Sequence, residues 1–192
     1  MRCLICEEFS FSHICKRCRK DYLSPQLFKR KISNLKIFSF YRYEEIGDLI
    51  KTKHSYLGFY ILNILAKLSL REFVKELKYK NKIYVVPIDD KVGEFGFSHT
   101  SILAQNMKSK NIIPKFGSLY SKSKVKYIGQ NLHFRQKNKR DFQIRNLKEN
   151  SSVILVDDVI TTGTTLKEAK ESLEKMKIKT LFAVTLATTE KN

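Results

Sequence analysis

Short apolar runs alternate along the chain with longer stretches whose apolar residues recur at helical spacing. Ile37 to Tyr41 (IFSFY) reads as a strand, and Glu44 to Ile50 as a helical turn leading into the basic Lys51-Thr52-Lys53-His54. Leu57 to Phe73 keeps the three-to-four spacing of a core helix. Ile83 to Pro87 (IYVVP) is a short apolar run of the buried-strand kind, and Pro87 ends it because proline donates nothing to a ladder. A loop over 88–97 leads to a helix from Ser98, a good N-cap, to Lys108. An edge element follows at Ile112-Ile113. Val153 to Val156 predicts a second buried strand, Thr165 to Met176 a helix, and Thr180 to Ala187 a last strand. Strands alternating with helices predict an α/β fold with a mainly parallel sheet. Ligands in such folds sit at the carboxyl ends of the strands.

Composition adds bounds. The 192 residues are 42% hydrophobic, with 13 Phe and 9 Tyr, which supports one core and a small appendage. Only 7 Gly and 3 Pro, with no low-complexity run, argue against widespread disorder. The N-terminus carries cysteines and charges where a secretory signal would place an apolar core. The longest uncharged stretch, His54 to Ala66, falls short of the roughly 20 residues a bilayer span needs. These features imply a cytoplasmic chain without a transmembrane segment, able at most to visit a membrane face. The formal charge of +18 favours a polyanionic partner: nucleic acid, an anionic membrane or phosphorylated small molecules. A lysine-rich coding bias accounts for part of that surplus equally well.

All 4 cysteines lie at the start, as Cys3-Leu-Ile-Cys6 and Cys15-Lys-Arg-Cys18. Two such pairs across a short loop can wrap one tetrahedral zinc with four thiolates. Two disulfides or four free thiols are the alternatives, and a reducing compartment disfavours the disulfides. His13 is a rival ligand that four thiolates make unnecessary. A site filled by protein ligands has no open position, so this zinc is expected to fold the segment and not to catalyse. The expected organisation is a zinc knuckle over 1–25 and an α/β domain over 26–192.

The stretch 153–165 (VILVDDVITTGTT) carries the chemistry. A strand end opening into a helix offers unpaired N–H groups and the positive end of the helix dipole. Gly163 lets the backbone fold round an anion, and Thr161, Thr162, Thr164 and Thr165 add hydroxyl donors. Asp157 and Asp158 would repel a phosphate directly, but suit neutral hydroxyls such as a ribose diol. Phosphate at one end and a diol beside it describe a ribose 5-phosphate. The stretch resembles the phosphoribosyl pyrophosphate (PRPP) signature of type I phosphoribosyltransferases. The resemblance implies Asp157 and Asp158 on the ribose hydroxyls and Thr161 to Thr165, with Gly163, on the 5′-phosphate. It further implies a pyrophosphate loop at Pro87, Ile88 and Lys91, with Mg²⁺ accompanying PRPP. An ordinary strand and capped helix with surface acids is the plain alternative.

A four-cysteine knuckle on such a domain is similar to the ComF family of competence proteins. The resemblance rests also on VVPI at 85–88, on Gly96-Phe97-Ser98-His99, on Leu103-Ala104, and on the basic segment Gln130…Arg135…Arg140. It implies a role in natural transformation, with incoming single-stranded DNA as partner at the cytoplasmic side of the inner membrane. An inner-membrane DNA-uptake channel and its helicase are implied as further partners. Where ComF relatives carry an Arg-Gly-Phe-Asn-Gln run, this chain has Phe95-Gly96-Phe97-Ser98-His99, with Lys91 the nearest cation. That departure weighs against turnover, and no catalytic residue is assigned. Two clusters are candidates for DNA: Arg17, Arg19 and Lys20 beside the knuckle, continued by Lys29, Arg30 and Lys31, and Phe134, Arg135, Lys137, Lys139 and Arg140, continued by Phe142 and Arg145. An active phosphoribosyltransferase of nucleotide metabolism is the competing function. A zinc-dependent adaptor for other uptake proteins is a third.

Overall fold

The computed structural model describes residues 1–121 and 141–190. A helix in the cysteine segment, α1 (Lys16–Tyr22), precedes a hairpin of β1 (Phe28–Ile32) and β2 (Leu35–Arg42). Next come α2 (Tyr43–Lys51), a 3₁₀ turn (Thr52–His54), α3 (Leu57–Leu68), α4 (Leu70–Lys75) and β3 (Ile83–Pro87). The chain continues through α5 (His99–Asn106), β4 (Ile112–Pro114) and the short strands β5 (Leu119–Ser121) and β6 (Phe142–Ile144). It closes with β7 (Ser152–Ile160), α6 (Thr164–Lys175) and β8 (Lys179–Thr188).

Among the described residues, six strands form one sheet in the order β1-β2-β8-β7-β3-β4. In this sheet the β1–β2 hairpin is antiparallel, and the described pairs β2–β8, β8–β7, β7–β3 and β3–β4 are parallel. The predicted α/β class with a mainly parallel sheet flanked by helices is therefore the observed one. β7 lies between β8 and β3 and alternates across the sheet. Ile154 and Val156 enter a core shared with α2, α3, α4 and α5, while Val153 and Leu155 enter a second core under α6. Burial on both faces explains why its sequence is a continuous aliphatic run.

Four local departures from the sequence expectation have physical causes. β7 does not stop at Val156: pairing with β8 continues to Ile160↔Thr188, so the two acids lie inside the strand's last turn of pleat. The long helix over 57–73 breaks at Ser69 (φ −111°, ψ −76°), whose Oγ donates to Leu65 O at 2.7 Å and competes with the helix ladder. β1 reads as charge in the sequence because it is an edge strand, where lysine and arginine guard the exposed ladder. Phe142, placed among the basic DNA candidates, is a core residue of β6 packed with Leu119, and so is withdrawn from base stacking. Among the described residues, no helix is long and apolar enough to cross a membrane.

Candidate functional site

Gly163 sets the geometry of the turn between β7 and α6. It has φ +73°, and a Cβ there would lie 2.0 Å from Cδ1 of Ile32 in the β1–β2 hairpin. Both conditions select glycine. It is the N-cap of α6 and offers no side-chain cap. The hydroxyls of Thr162 and Thr164 lie 2.9 Å apart, and Thr164 N is 3.4 Å from Thr162 Oγ1. Thr161 and Thr162 are exposed, and Thr164 and Thr165 half-buried. Arg30 Nη1 donates to Thr161 O at 2.5 Å while its Nε pairs with Glu190 at 3.1 Å, tying the hairpin to the turn. Phosphate-sized anions suit such a helix start.

The acids beside this turn differ in environment. Asp157 is half-buried, and its Oδ1 accepts from Asp158 N at 2.9 Å. Asp158 is buried, accepts from Val159 N at 2.8 Å, and forms an ion pair with Lys53. His99 Nε2 stands 3.9 Å from Asp158 Oδ2. Burial alone would raise the Asp158 carboxyl, but Lys53 and His99 hold it below the usual carboxylate range. Burial likewise pulls Lys53 down, and the attraction of Asp158 and Asp157 more than reverses it. His99 lies below its ordinary value, chiefly through desolvation, which outweighs the pull of Asp158. The ligand atoms of His99, Asp157 and Asp158 all lie within 4.8 Å of one another, a spacing that could hold a cation.

Neither Lys53 nor His99 was assigned to the site by sequence. Lys53 arrives on the 3₁₀ turn, clamped by α3: a Cβ on Gly58 would fall 2.6 Å from Lys53 Cα. His99 arrives as the first residue of α5, whose N-cap Ser98 accepts from Ser101 N at 3.2 Å. The available signal was the buried acid itself, which demands a cation but does not say from which element.

Pro87 and Ile88 stand at the carboxyl end of β3, and Ile88 N donates to Val156 O at 2.9 Å, so the loop starts beside β7. The loop is braced from below: Asp89 accepts from Ser121 N at 3.0 Å and Asp90 from Gly117 N at 2.9 Å. Lys91 pairs with Asp89 at 3.2 Å. A 230 Å³ cavity between the loop and the 3₁₀ turn is lined in part by Lys91, His54, and the two partners of Asp158, Lys53 and His99.

Cys3, Cys6, Cys15 and Cys18 converge in the N-terminal segment, with all four Sγ atoms within 4.8 Å of one another. A tetrahedral Zn–S distance of about 2.3 Å requires S···S edges of about 3.8 Å. Cys6 and Cys15 stand at 3.9 Å, and all four thiols are free. The donor set fits a thiophilic cation. Burial pushes the Cys3 thiol up, but N–H groups of Cys6, Cys15 and Ile5 bring it down to about 6. Burial raises Cys18. Cys3, Ile14, Cys18 and Leu23 belong to the same core cluster as Ile61 and Leu65 of α3.

Of the DNA candidates, Arg17 pairs with Glu8 at 2.9 Å, Arg19 Nε donates to Ile14 O at 2.8 Å, and Lys20 is exposed. Arg145 lies over the Tyr120 ring at 4.6 Å. Phe134, Arg135, Lys137, Lys139 and Arg140 fall outside the described residues.

Similar solved structures include a hypoxanthine phosphoribosyltransferase from Staphylococcus aureus, at 21% identity over 66% of this chain and TM-score 0.43. This chain spans 62% of that protein. Adenine phosphoribosyltransferases from Saccharomyces cerevisiae (20% identity, 89% of this chain and 87% of that one, TM-score 0.41) and Rhodothermus marinus (22%, 69% and 70%, 0.45) are similar too. No curated protein matches the chain. The sequence pattern of the phosphoribosyl transferase domain matches residues 96–192, half of the chain. That match begins at the end of the β3–α5 loop and takes in the acidic strand end, the glycine turn and both flanking elements. The chain accordingly belongs to the phosphoribosyl transferase domain family.

Proposed function

We propose that this chain is a ComF-type competence protein that holds PRPP at the β7–α6 turn and binds incoming single-stranded DNA during natural transformation. The observation that carries the PRPP half is the placement of two unlike half-sites on one strand end. Asp157 and Asp158 face hydroxyls, taking the ribose 2′ and 3′ groups. Thr161, Thr162, Thr164 and Thr165 surround the start of α6 and take the 5′-phosphate. Pro87, Ile88 and Lys91 serve the pyrophosphate. Mg²⁺ bound with PRPP supplies charge neutralisation there, and carboxylate oxygens suit that hard cation.

The knuckle supports the ComF half of the reading. Four thiolates and no open position describe a structural zinc, held by Cys3, Cys6, Cys15 and Cys18. The formal charge of +18 suits a nucleic-acid partner reached through Arg17, Arg19, Lys20 and the segment that includes Arg135 and Arg140. The uptake channel and its helicase follow as partners on the cytoplasmic side of the inner membrane. Holding PRPP, not consuming it, fits a loop whose cation Lys91 is already engaged by Asp89.

Calorimetry with PRPP and Mg²⁺ tests the ligand. Asp157→Asn, at a half-buried position that leaves the Lys53–Asp158 pair intact, is expected to weaken PRPP at least tenfold. Asp157→Ala with Asp158→Ala is expected to abolish binding while zinc content stays at one per chain. Wild-type affinity in Asp157→Asn would overturn the assignment. Absence of salt-sensitive single-stranded DNA binding at low salt would remove the competence half.

A further inference from the structure

Between the cysteine segment and α3 lies a cavity of 490 Å³, within the roughly 300–1,000 Å³ range of small-ligand pockets. Its wall residue Phe59 meets Phe97, which lines the cavity beside Lys53 and His99, with ring centroids 6.2 Å apart. Phe11, His13 and Arg19 line it from the knuckle, and Phe59, Tyr60 and Lys67 from α3. Among the described residues, no acidic side chain lines it. His13 stacks on Tyr60 with ring centroids 4.5 Å apart and planes 23° apart, joining the two walls into one aromatic floor. Phe59 meets Tyr60 edge-on at 5.5 Å.

The rings above this floor are out of place for the fold. Phe11 is 95% exposed and its edge-to-face neighbour Phe9 73% exposed, on a loop held by backbone bonds from Leu4 N to His13 O at 2.8 Å and from Ser10 N to Met1 O at 3.0 Å. Phe59 and Tyr60 are each 47% exposed on a helix whose other face fills the core. Contiguous exposed aromatic surface rimmed by cations marks an interaction site. Arg19 is pinned at the rim by its bond to Ile14 O, and Lys67 is exposed on the opposite wall.

We infer that this cleft is the single-stranded DNA site, with unpaired bases stacked on Phe11 and the His13–Tyr60 floor and phosphates met by Arg19 and Lys67. The inference rests on the DNA half of the proposed function and gives it a surface. Base faces stack on rings whatever the sequence, while cations follow the backbone. Duplex DNA offers no free base face, and a flat bilayer cannot enter a concave cleft, so single strands are the occupant that uses both rings and charges.

The test is fluorescence anisotropy of a labelled oligo-dT on the full, zinc-loaded chain, with duplex DNA of equal length as a second arm. Phe11→Ala trims a ring that is 95% exposed and meets Phe9 edge-on; it is expected to weaken oligo-dT about tenfold with the salt slope unchanged. Lys67→Ala is expected to shallow the slope by about 0.7. Lys108→Ala with Lys110→Ala, exposed positions after α5, is the control and should stay within about threefold of wild type. Oligo-dT should bind more tightly than duplex. If the wild type binds but Phe11→Ala matches it, the cleft is not the site, and the DNA reading survives elsewhere. If Phe11→Ala leaves DNA affinity intact but turns a dimer into a monomer, the face belongs to a second copy and the inference fails. If the wild type binds no oligo-dT, the DNA half of the proposed function falls and takes this cleft with it, leaving PRPP untouched.

Discussion

Two helix starts in this protein solve the same problem in opposite ways. α1 begins at Cys15, whose own Sγ accepts from Cys18 N at 3.4 Å. α6 begins at Gly163, which has no side chain to offer. At α1 the protein's sulfurs turn inward and satisfy the exposed N–H groups. At α6 the cap position has no side-chain cap and stands among threonine hydroxyls, an arrangement that suits an anion from outside. The first arrangement is closed and suits a resident ion; the second is open and suits an exchanging ligand. Burial follows the same division: Cys3 and Cys18 are 1% and 0% exposed, whereas Thr161 and Thr162 face solvent.

The comparison breaks most visibly at the closed end. Cys18 lies within the core cluster that includes α3, so losing its thiol removes a packed side chain and, on the proposed zinc reading, a metal ligand with it. Structural zinc contributes on the order of 10 kcal/mol to small domains, against a total stability of about 5–15 kcal/mol. Cys18→Ser is therefore expected to lose its zinc and to melt about 20 °C or more below wild type, followed by metal analysis and circular dichroism. A variant that melts with the wild type would show that the cysteine segment is an appendage with no share in the core.

At the open end the expected effect is smaller and falls on the ligand. In Gly163→Ala, φ +73° costs an L-residue about 1–2 kcal/mol, and the new Cβ meets Ile32 Cδ1 at 2.0 Å. Stability should drop by about that amount while PRPP affinity falls more than tenfold. The two causes separate in Gly163→Ala with Ile32→Ala, which removes the contact and keeps the strain. Affinity that stays lost in the double variant assigns the requirement to the backbone of the turn. Full recovery assigns it to the hairpin, and the open cap would then be less tightly specified than the closed one.

How much of this was legible depends on whether a feature is written in neighbouring residues. β3, β7, β8 and α6 follow from periodicity, and the acid pair, the glycine turn and the four cysteines are local patterns. β7 was drawn too short because Asp157 and Asp158 look like loop residues; parallel pairing with β8 holds them in a strand regardless. Lys53 was invisible because its partner lies 105 residues away, a distance set by the fold and not by any motif. The same holds for the aromatic cleft: Phe11, Tyr60 and Lys67 are scattered in sequence and meet only when the knuckle docks on α3. Phe142 erred in the other direction. Its basic neighbours suggested a surface, but pairing of β5 with β6 turns its ring into the core.

The smallest effect concerns a pH response at the open site that the closed one should not share. His99 is half-buried beside Asp158, with Lys53, His54 and Asp89 as the other charged groups that act on it. Desolvation sets it below its ordinary value, Lys53 and His54 push the same way, and Asp158 and Asp89 resist. A depressed folded value means that the unfolded chain takes up the proton first. Stability from a neutral His99 is therefore complete above about pH 6.5 and is lost as pH falls below it. Asp158 cannot mimic this, because its carboxyl is held below the usual carboxylate range and stays ionised throughout that window. Urea midpoints of the zinc-loaded protein should fall between pH 7.5 and 5.5, and His99→Gln should flatten part of that slope. If His99→Gln follows the wild type through the whole window, the imidazole is not buried against Asp158 in solution. The open site would then be more hydrated than its geometry implies, and the Lys53–Asp158 pair correspondingly weaker.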